Sequence, residues 1–169
     1  YGGKGDDTII ANKNGSYIYG EAGNDTITIN VETSNEIDGG TGDDTYNINA
    51  SCAPKDTDGN KDGNNVYNID ADNCNITGGN DTFYVNGNNN TVNGAGGDDY
   101  FVINSKGSNT IDGATGDNYY VDNSDGNATL VNVVSDPNSG MLQFSSIGEE
   151  KSFIIDGKKY DDSWNISSC

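Results

Sequence analysis

Residues 39–48 read Gly39-Gly40-Thr41-Gly42-Asp43-Asp44-Thr45-Tyr46-Asn47-Ile48. The first six carry turn chemistry, because glycine reaches backbone conformations closed to other residues and Asp supports tight turns. The last four alternate polar and apolar side chains with the period of two that marks a strand with one buried face. The same unit begins at Gly2-Gly3-Lys4-Gly5-Asp6-Asp7-Thr8-Ile9 and at Gly20-Glu21-Ala22-Gly23-Asn24-Asp25-Thr26-Ile27. A shortened copy, Gly78-Gly79-Asn80-Asp81-Thr82-Phe83, precedes Gly94-Ala95-Gly96-Gly97-Asp98-Asp99-Tyr100-Phe101, and Gly113-Ala114-Thr115-Gly116-Asp117-Asn118-Tyr119-Tyr120 ends the series. The last polar residue of each turn falls at 7, 25, 44, 81, 99 and 118, in steps of 18, 19, 37, 18 and 19. The long step reads as two windings with a degenerate copy between them.

Each unit holds a second, shorter strand centred on one apolar residue: Ile18, Ile37, Ile76, Val92, Ile111 and Leu130. Most follow Asn or Ser turns such as Asn14-Gly15-Ser16 and Ser108-Asn109. Strand, turn, strand and glycine-rich turn within about 18 residues close one flattened coil, and coils stack at the ~4.8 Å strand spacing. The expected fold is all-β, a parallel β-roll or β-solenoid spanning 1–131 with an insertion at 50–65. From 132 to 169 a non-repeating β-hairpin cap is expected to cover the last apolar layer, with Trp164 over that end. Met141–Phe144 and Ser152–Ile155 read as strands there, and Asp156-Gly157 as a hairpin turn.

Composition agrees with a thin core: 31% of the 169 residues are apolar, and the mean hydropathy is -0.73. Acids outnumber bases 27 to 8, a formal charge of -19, which disfavours phosphate backbones and anionic lipid and excludes no neutral partner. There is no His, and so no Ser-His or Cys-His nucleophile pair and no imidazole metal site. No apolar run reaches the roughly 18 residues of a membrane span. The chain is therefore expected to be neither an enzyme nor a nucleic-acid or membrane-inserting protein.

Stacking places an acid from each coil at the same corner. Neighbouring like charges there repel by an amount on the order of 1 kcal/mol per pair, and more when desolvated. Ca²⁺ is the natural occupant, since it accepts 6 to 8 oxygens in flexible geometry; Mg²⁺ prefers strict octahedra, and zinc wants His or thiolates. Glycines at the first, second and fourth turn positions are expected to take positive φ and to aim carbonyls inward: Gly3 and Gly5, Gly20 and Gly23, Gly40 and Gly42, Gly79, and Gly97. The competing reading is that Gly, Asn and Asp only make corners.

This pattern resembles the RTX, or repeats-in-toxin, family, whose nonapeptide Gly-Gly-x-Gly-x-Asp-x-U-x (U a large apolar residue) forms calcium-binding β-rolls. The resemblance implies that Asp7, Asp25, Asp44, Asp81 and Asp99 ligate calcium together with turn carbonyls, for about four or five ions in all. Sites at the shortened Asp81 copy and at Asn118, which lacks the charge, should be weak or empty. It further implies a calcium-induced folding module in the C-terminal part of a secreted bacterial toxin, adhesin or exoenzyme, exported by type I secretion machinery to the cell surface or beyond.

Three readings stand beside this one. Asp56, Asp58, Asn60 and Asp62 alternate like the start of an EF-hand loop, without a Glu at its twelfth place, so an extra calcium or a solvated insertion is expected there. Cys52 and Cys74 follow Ile48 and Ile69 at similar distances, and one rung apart they would satisfy disulfide geometry, so a Cys52–Cys74 bridge stapling the insertion is expected, with free thiols as the alternative. Finally, outward Thr ladders and Tyr17, Tyr19, Tyr84 and Tyr100 suggest a ligand surface on the sheet, for glycan rather than ice.

Overall fold

The computed structural model describes residues 1–14, 17–32, 37–51, 63–116, 118–124 and 128–131, together with the backbone of three further strands at 141–144, 152–155 and 158–161. It is all-β. Strands β1 (Gly3–Lys4), β3 (Ile18–Ala22) and β5 (Ile37–Thr41) form a three-stranded sheet. Strands β2 (Thr8–Ala11), β4 (Thr26–Ile29), β6 (Thr45–Ile48), β7 (Val66–Ile69), β9 (Thr82–Val85), β11 (Tyr100–Ile103), β13 (Tyr119–Asp122) and β15 (Met141–Phe144) form an eight-stranded sheet. The six-stranded sheet holds β8 (Asn75–Thr77), β10 (Thr91–Asn93), β12 (Asn109–Asp112), β14 (Ala128–Val131), β16 (Ser152–Ile155) and β17 (Lys158–Asp161). The chain alternates between the two faces, so every named strand pair is parallel except the antiparallel β16 and β17.

The winding is a β-solenoid, and its register follows the repeat. Thr26 pairs with Thr45, Ile27 with Tyr46 and Ile29 with Ile48, and then Tyr46 with Tyr67, Tyr67 with Phe83, and Phe83 with Phe101. Strand β6 pairs directly with β7, so the eight-stranded face runs unbroken past the insertion, whereas the opposite face is divided into two sheets among the described residues. Beyond 132, Met141–Phe144 adds in parallel to β13 and Ser152–Ile155 to β14, which continues both faces before the antiparallel β17. The Asp156-Gly157 turn, Trp164 and Asp56, Asp58, Asn60 and Asp62 lie outside the described residues.

Between the faces sits one narrow core. Tyr46, Tyr67, Phe83, Phe101 and Tyr120 stack ring on ring, with centroids 4.6, 4.9, 4.8 and 5.0 Å apart and nearly parallel planes. Each contact contributes about 0.5–1.5 kcal/mol beyond its buried area, because parallel strands hold the rings at their optimal separation. Ile27, Ile29, Ile48, Ile69, Val85 and Ile103 flank the rings, and Ile18, Ile37, Ile76, Val92, Ile111 and Leu130 close the core from the second face. Cys74 is also buried there. Cys52, its expected partner, and Cys169 lie outside the described residues.

Rungs are also tied outside the core by side-chain amides. Asn30 Nδ2 donates to Asn12 Oδ1, Asn49 Nδ2 to Asn30 Oδ1, Asn104 Nδ2 to Asn86 Oδ1 and Asn123 Nδ2 to Asn104 Oδ1, all at 2.8–2.9 Å. Such ladders need identical residues at one place in successive coils, which is why asparagine recurs at 12, 30 and 49 and at 86, 104 and 123. Replacing the fully buried Phe101 by Ala removes a ring stacked on both sides. The folded state should lose about 3–5 kcal/mol in chemical denaturation with calcium present; a loss below about 1 kcal/mol would mean that the column is not packed as described.

Candidate metal centre

Each glycine-rich turn ends at a residue just before a strand of the eight-stranded sheet, and there the side chain points inward. Asp25, Asp44, Asn65, Asp81, Asp99 and Asn118 are each at most 3% exposed, which removes them from the solvent that would otherwise screen their charge. Their Oδ1 atoms form a ladder. Asp25 accepts from the Asp7 N–H and Asp44 from the Asp25 N–H at 2.7 Å. Asn65 accepts from Asp44 at 2.7 Å, Asp81 from Asn65 at 2.8 Å, Asp99 from Asp81 at 2.9 Å and Asn118 from Asp99 at 2.9 Å. All of the expected acids therefore share one column with the two amides. Asn65 is the corner residue of the degenerate winding, which the sequence spacing alone does not locate because the insertion shifts it 21 residues past Asp44.

Oδ1 of Asp25, Asp44, Asp81 and Asp99 is thus satisfied. Oδ2 of Asp7, Asp25 and Asp99 is not: it is buried and has no hydrogen-bond donor. A Cβ placed on Gly2 would lie 2.6 Å from Asp7 Oδ2 and 2.7 Å from the carbonyl oxygen of Gly20 in the next coil. The same pair recurs one coil on, where a Cβ at Gly20 would strike Asp25 Oδ2 and the Gly39 carbonyl oxygen. Acceptor faces acceptor in a desolvated corner. Leaving one such buried oxygen unpaired costs about 1–3 kcal/mol, more when it is charged. Repeated along a column, that approaches the 5–15 kcal/mol that stabilises a whole domain.

The glycines divide the work differently from the sequence expectation. Positive φ occurs at the second and fourth turn positions: Gly3 and Gly40, and Gly5, Gly23, Gly42 and Gly97. At the second place Glu21, Ala95 and Ala114 also adopt it, with φ of 80°, 62° and 53°. First-position glycines such as Gly20 have no positive φ; they are required because Asp Oδ2 occupies the space of a side chain, together with the next carbonyl at Gly2 and Gly20 and with the tip of a core ring at Gly39, Gly78 and Gly94. At Gly39 the neighbouring ring tip is the Tyr46 hydroxyl, which accepts from the Gly39 N–H at 2.6 Å. Gly79 departs from the pattern, since its N–H donates to Asp81 Oδ2 at 2.5 Å. The shortened turn so occupies the oxygen left bare at Asp25, which agrees with a weaker site.

A second ladder runs beside the first in solvent, where Asp6 Oδ1 accepts from the Asn24 N–H and Asp43 Oδ1 from the Asn64 N–H, both at 2.8 Å. Water reaches these carboxylates, so they need no cation. Among the described residues no three acids or thiols converge on one point. A cation in the buried column would therefore take one carboxylate oxygen per coil and fill its shell with backbone carbonyls, a donor set of hard oxygens that fits Ca²⁺.

Asp99 shows the strain most clearly. Burial above all, and then the charges of Asp81 and Asp98, push its carboxyl from the ordinary 3.8 up to about 8, against the lowering effect of the Asp81 N–H.

Comparison with known proteins agrees with this geometry. Residues 1–28, 32–47 and 76–102 match the RTX calcium-binding nonapeptide repeat, in four copies. The unmatched stretches include Asn65 and Asn118, where the corner acid is an amide. No curated protein and no solved structure gives a significant match.

The raised Asp99 carboxyl has a defined effect on folding. The metal-free folded chain holds a proton that the unfolded chain releases near pH 4, so its stability falls as pH rises from about 4 to about 8. In chelator, β-structure by circular dichroism should therefore be greater at pH 5 than at pH 8.5. The opposite order would show that these carboxylates are not desolvated.

Proposed function

We propose that in this chain, a calcium-binding β-roll of RTX repeats, ligation at the buried corners drives folding, and that the module works outside the cell. The single observation that carries this is the bare, buried Oδ2 of Asp7, Asp25 and Asp99, which at Asp7 and Asp25 lies beside a carbonyl of the next turn. Ca²⁺, when bound, supplies the two positive charges and the variable coordination that such a column of oxygens lacks. Asp7, Asp25, Asp44 and Asp99 would hold it with the carbonyls of their turns, and Asp81 would hold it more weakly. The folded stack alone brings these groups together, so binding free energy becomes folding free energy.

A chain of charge -19 stays expanded where calcium is scarce, which suits passage through a type I exporter, and folds where calcium is plentiful. Extracellular calcium sites of this kind bind at about 10⁻⁴–10⁻³ M, the range in which such a switch operates. The module fits a secreted bacterial toxin, adhesin or exoenzyme and is itself a folding unit rather than a catalyst.

Calcium should convert the chain cooperatively from coil to β-structure in circular dichroism, and equal magnesium should not. Asp25→Ala should raise the calcium midpoint several-fold, whereas exposed Asp6→Ala should shift it by less than about twofold. Identical spectra in chelator and in calcium would overturn the reading.

A second reading concerns the outer side of the eight-stranded sheet. From Thr8 and Ile10 to Tyr119 and Val121, the outward residues of its described strands carry no charge, in a strongly acidic chain. Tyr84 and Tyr100 are exposed there, and Tyr100 stacks on Tyr119 at 5.0 Å. Tyr19 lies on the other face, against Tyr1, so the four tyrosines do not form one surface. An uncharged aromatic face suits a neutral polysaccharide. Affinity electrophoresis should show retardation by such a polymer that Tyr100→Ala weakens at constant calcium; unchanged mobility of the wild type would remove this reading.

A further inference from the structure

The solenoid has two edges, and both place an inward polar residue before a strand. On the glycine-rich edge that residue is mostly Asp. On the other edge Asn90 and Asn109 occupy the matching place, each at most 3% exposed. Asn90 Oδ1 accepts from the Cys74 N–H at 2.7 Å, and Asn109 Oδ1 from the Asn90 N–H at 2.8 Å. The ladder is the same as that of Asp25 and Asp99. The second atom differs: Asn90 Nδ2 donates to the Ala71 carbonyl at 3.0 Å and Asn109 Nδ2 to the Gly87 carbonyl at 3.2 Å.

Asn118 brings that arrangement onto the glycine-rich edge itself. Its Oδ1 accepts from the Asp99 N–H, and its Nδ2 donates to the Gly113 carbonyl at 2.9 Å and reaches the Gly116 carbonyl at 3.5 Å. Gly113 and Gly116 are the first and fourth turn positions, equivalent to Gly94 and Gly97 before Asp99 and to Gly20 and Gly23 before Asp25. In those turns the atom in place of Nδ2 is a bare carboxylate oxygen.

We infer that a corner asparagine replaces the cation: its amide N–H groups give the turn carbonyls the positive partner that calcium gives them beside an aspartate. The inference rests on the calcium reading above and extends it to which corners need metal. Asn65 then divides the edge into two separate metal-bearing groups, Asp7, Asp25 and Asp44 in one and Asp81 and Asp99 in the other, and Asn118 ends the second. The opposite edge closes without metal. One atom per coil, oxygen or NH₂, sets whether that coil depends on calcium.

The consequence is counter-intuitive. Changing a proposed ligand to its amide should reduce the need for calcium, while truncating it should increase that need. The test compares wild type, Asp99→Asn, Asp99→Ala and Asn118→Asp by circular dichroism during calcium titration, with bound calcium counted by equilibrium dialysis. Asp99→Asn should fold at a calcium concentration lower by about fivefold or more while binding less calcium. Asp99→Ala also removes the charge but supplies no donor, and its midpoint should rise. Asn118→Asp should bind more calcium than wild type and need more of it to fold. An Asp99→Asn variant that behaves like Asp99→Ala, or an Asn118→Asp variant with no added calcium, would overturn the inference. Wild-type β-structure indifferent to chelator would instead sink the folding reading, and the calcium counts of Asp99→Asn and Asn118→Asp would still decide this one.

Discussion

A buried carboxylate oxygen facing backbone carbonyls is the constraint on which the rest of this structure turns. Oδ1 of Asp25 is fixed by the N–H of Asp7 one rung away, which leaves Oδ2 pressed between Gly20 and the Gly39 carbonyl with no donor. The arrangement holds only if something positive enters, because the bare oxygens together cost energy on the scale of the whole domain's margin. The first glycine of the aspartate turns answers to the same crowding: its missing side chain is the space that the carboxylate oxygen takes up, with a carbonyl at Gly2 and Gly20 and a core ring at Gly39, Gly78 and Gly94. Local sequence, corner packing and metal dependence are thus one problem solved once per coil.

The core supplies the opposing contribution. A single column of rings from Tyr46 to Tyr120, flanked by Ile and Val, is all that a solenoid with two narrow faces can bury. Side-chain amide ladders, Asn12 to Asn49 and Asn86 to Asn123, tie the rungs outside it. These terms hold coils together but do not relieve the acidic edge. Stability is therefore divided between a permanent share and a conditional one, and the conditional share makes the chain responsive to its surroundings.

Much of this was legible in the sequence because the repeat carries its own register. Alternation after each Gly-rich hexapeptide located the strands, and the spacing of Asp7, Asp25, Asp44, Asp81 and Asp99 placed them in one column. The insertion hid Asn65, since a count between Asp44 and Asp81 shows that a winding is missing but not where its corner lies. Asn109 reads as a turn former and Asn90 does not stand out; that both repeat the acid's geometry on the other edge depends on side-chain direction, which spacing does not give. Two glycine roles, positive φ and absent bulk, look alike in sequence and separate only when the neighbouring atoms are known.

The most direct test is anomalous diffraction from crystals grown in calcium. Calcium peaks are expected along the glycine-rich edge, within coordination distance of Oδ2 of Asp25 and Asp99, and none beside Asn118 or beside Asn90 and Asn109 on the opposite edge. A solenoid with no peak at Asp25 or Asp99 in saturating calcium, or with peaks on the asparagine edge, would contradict the calcium reading.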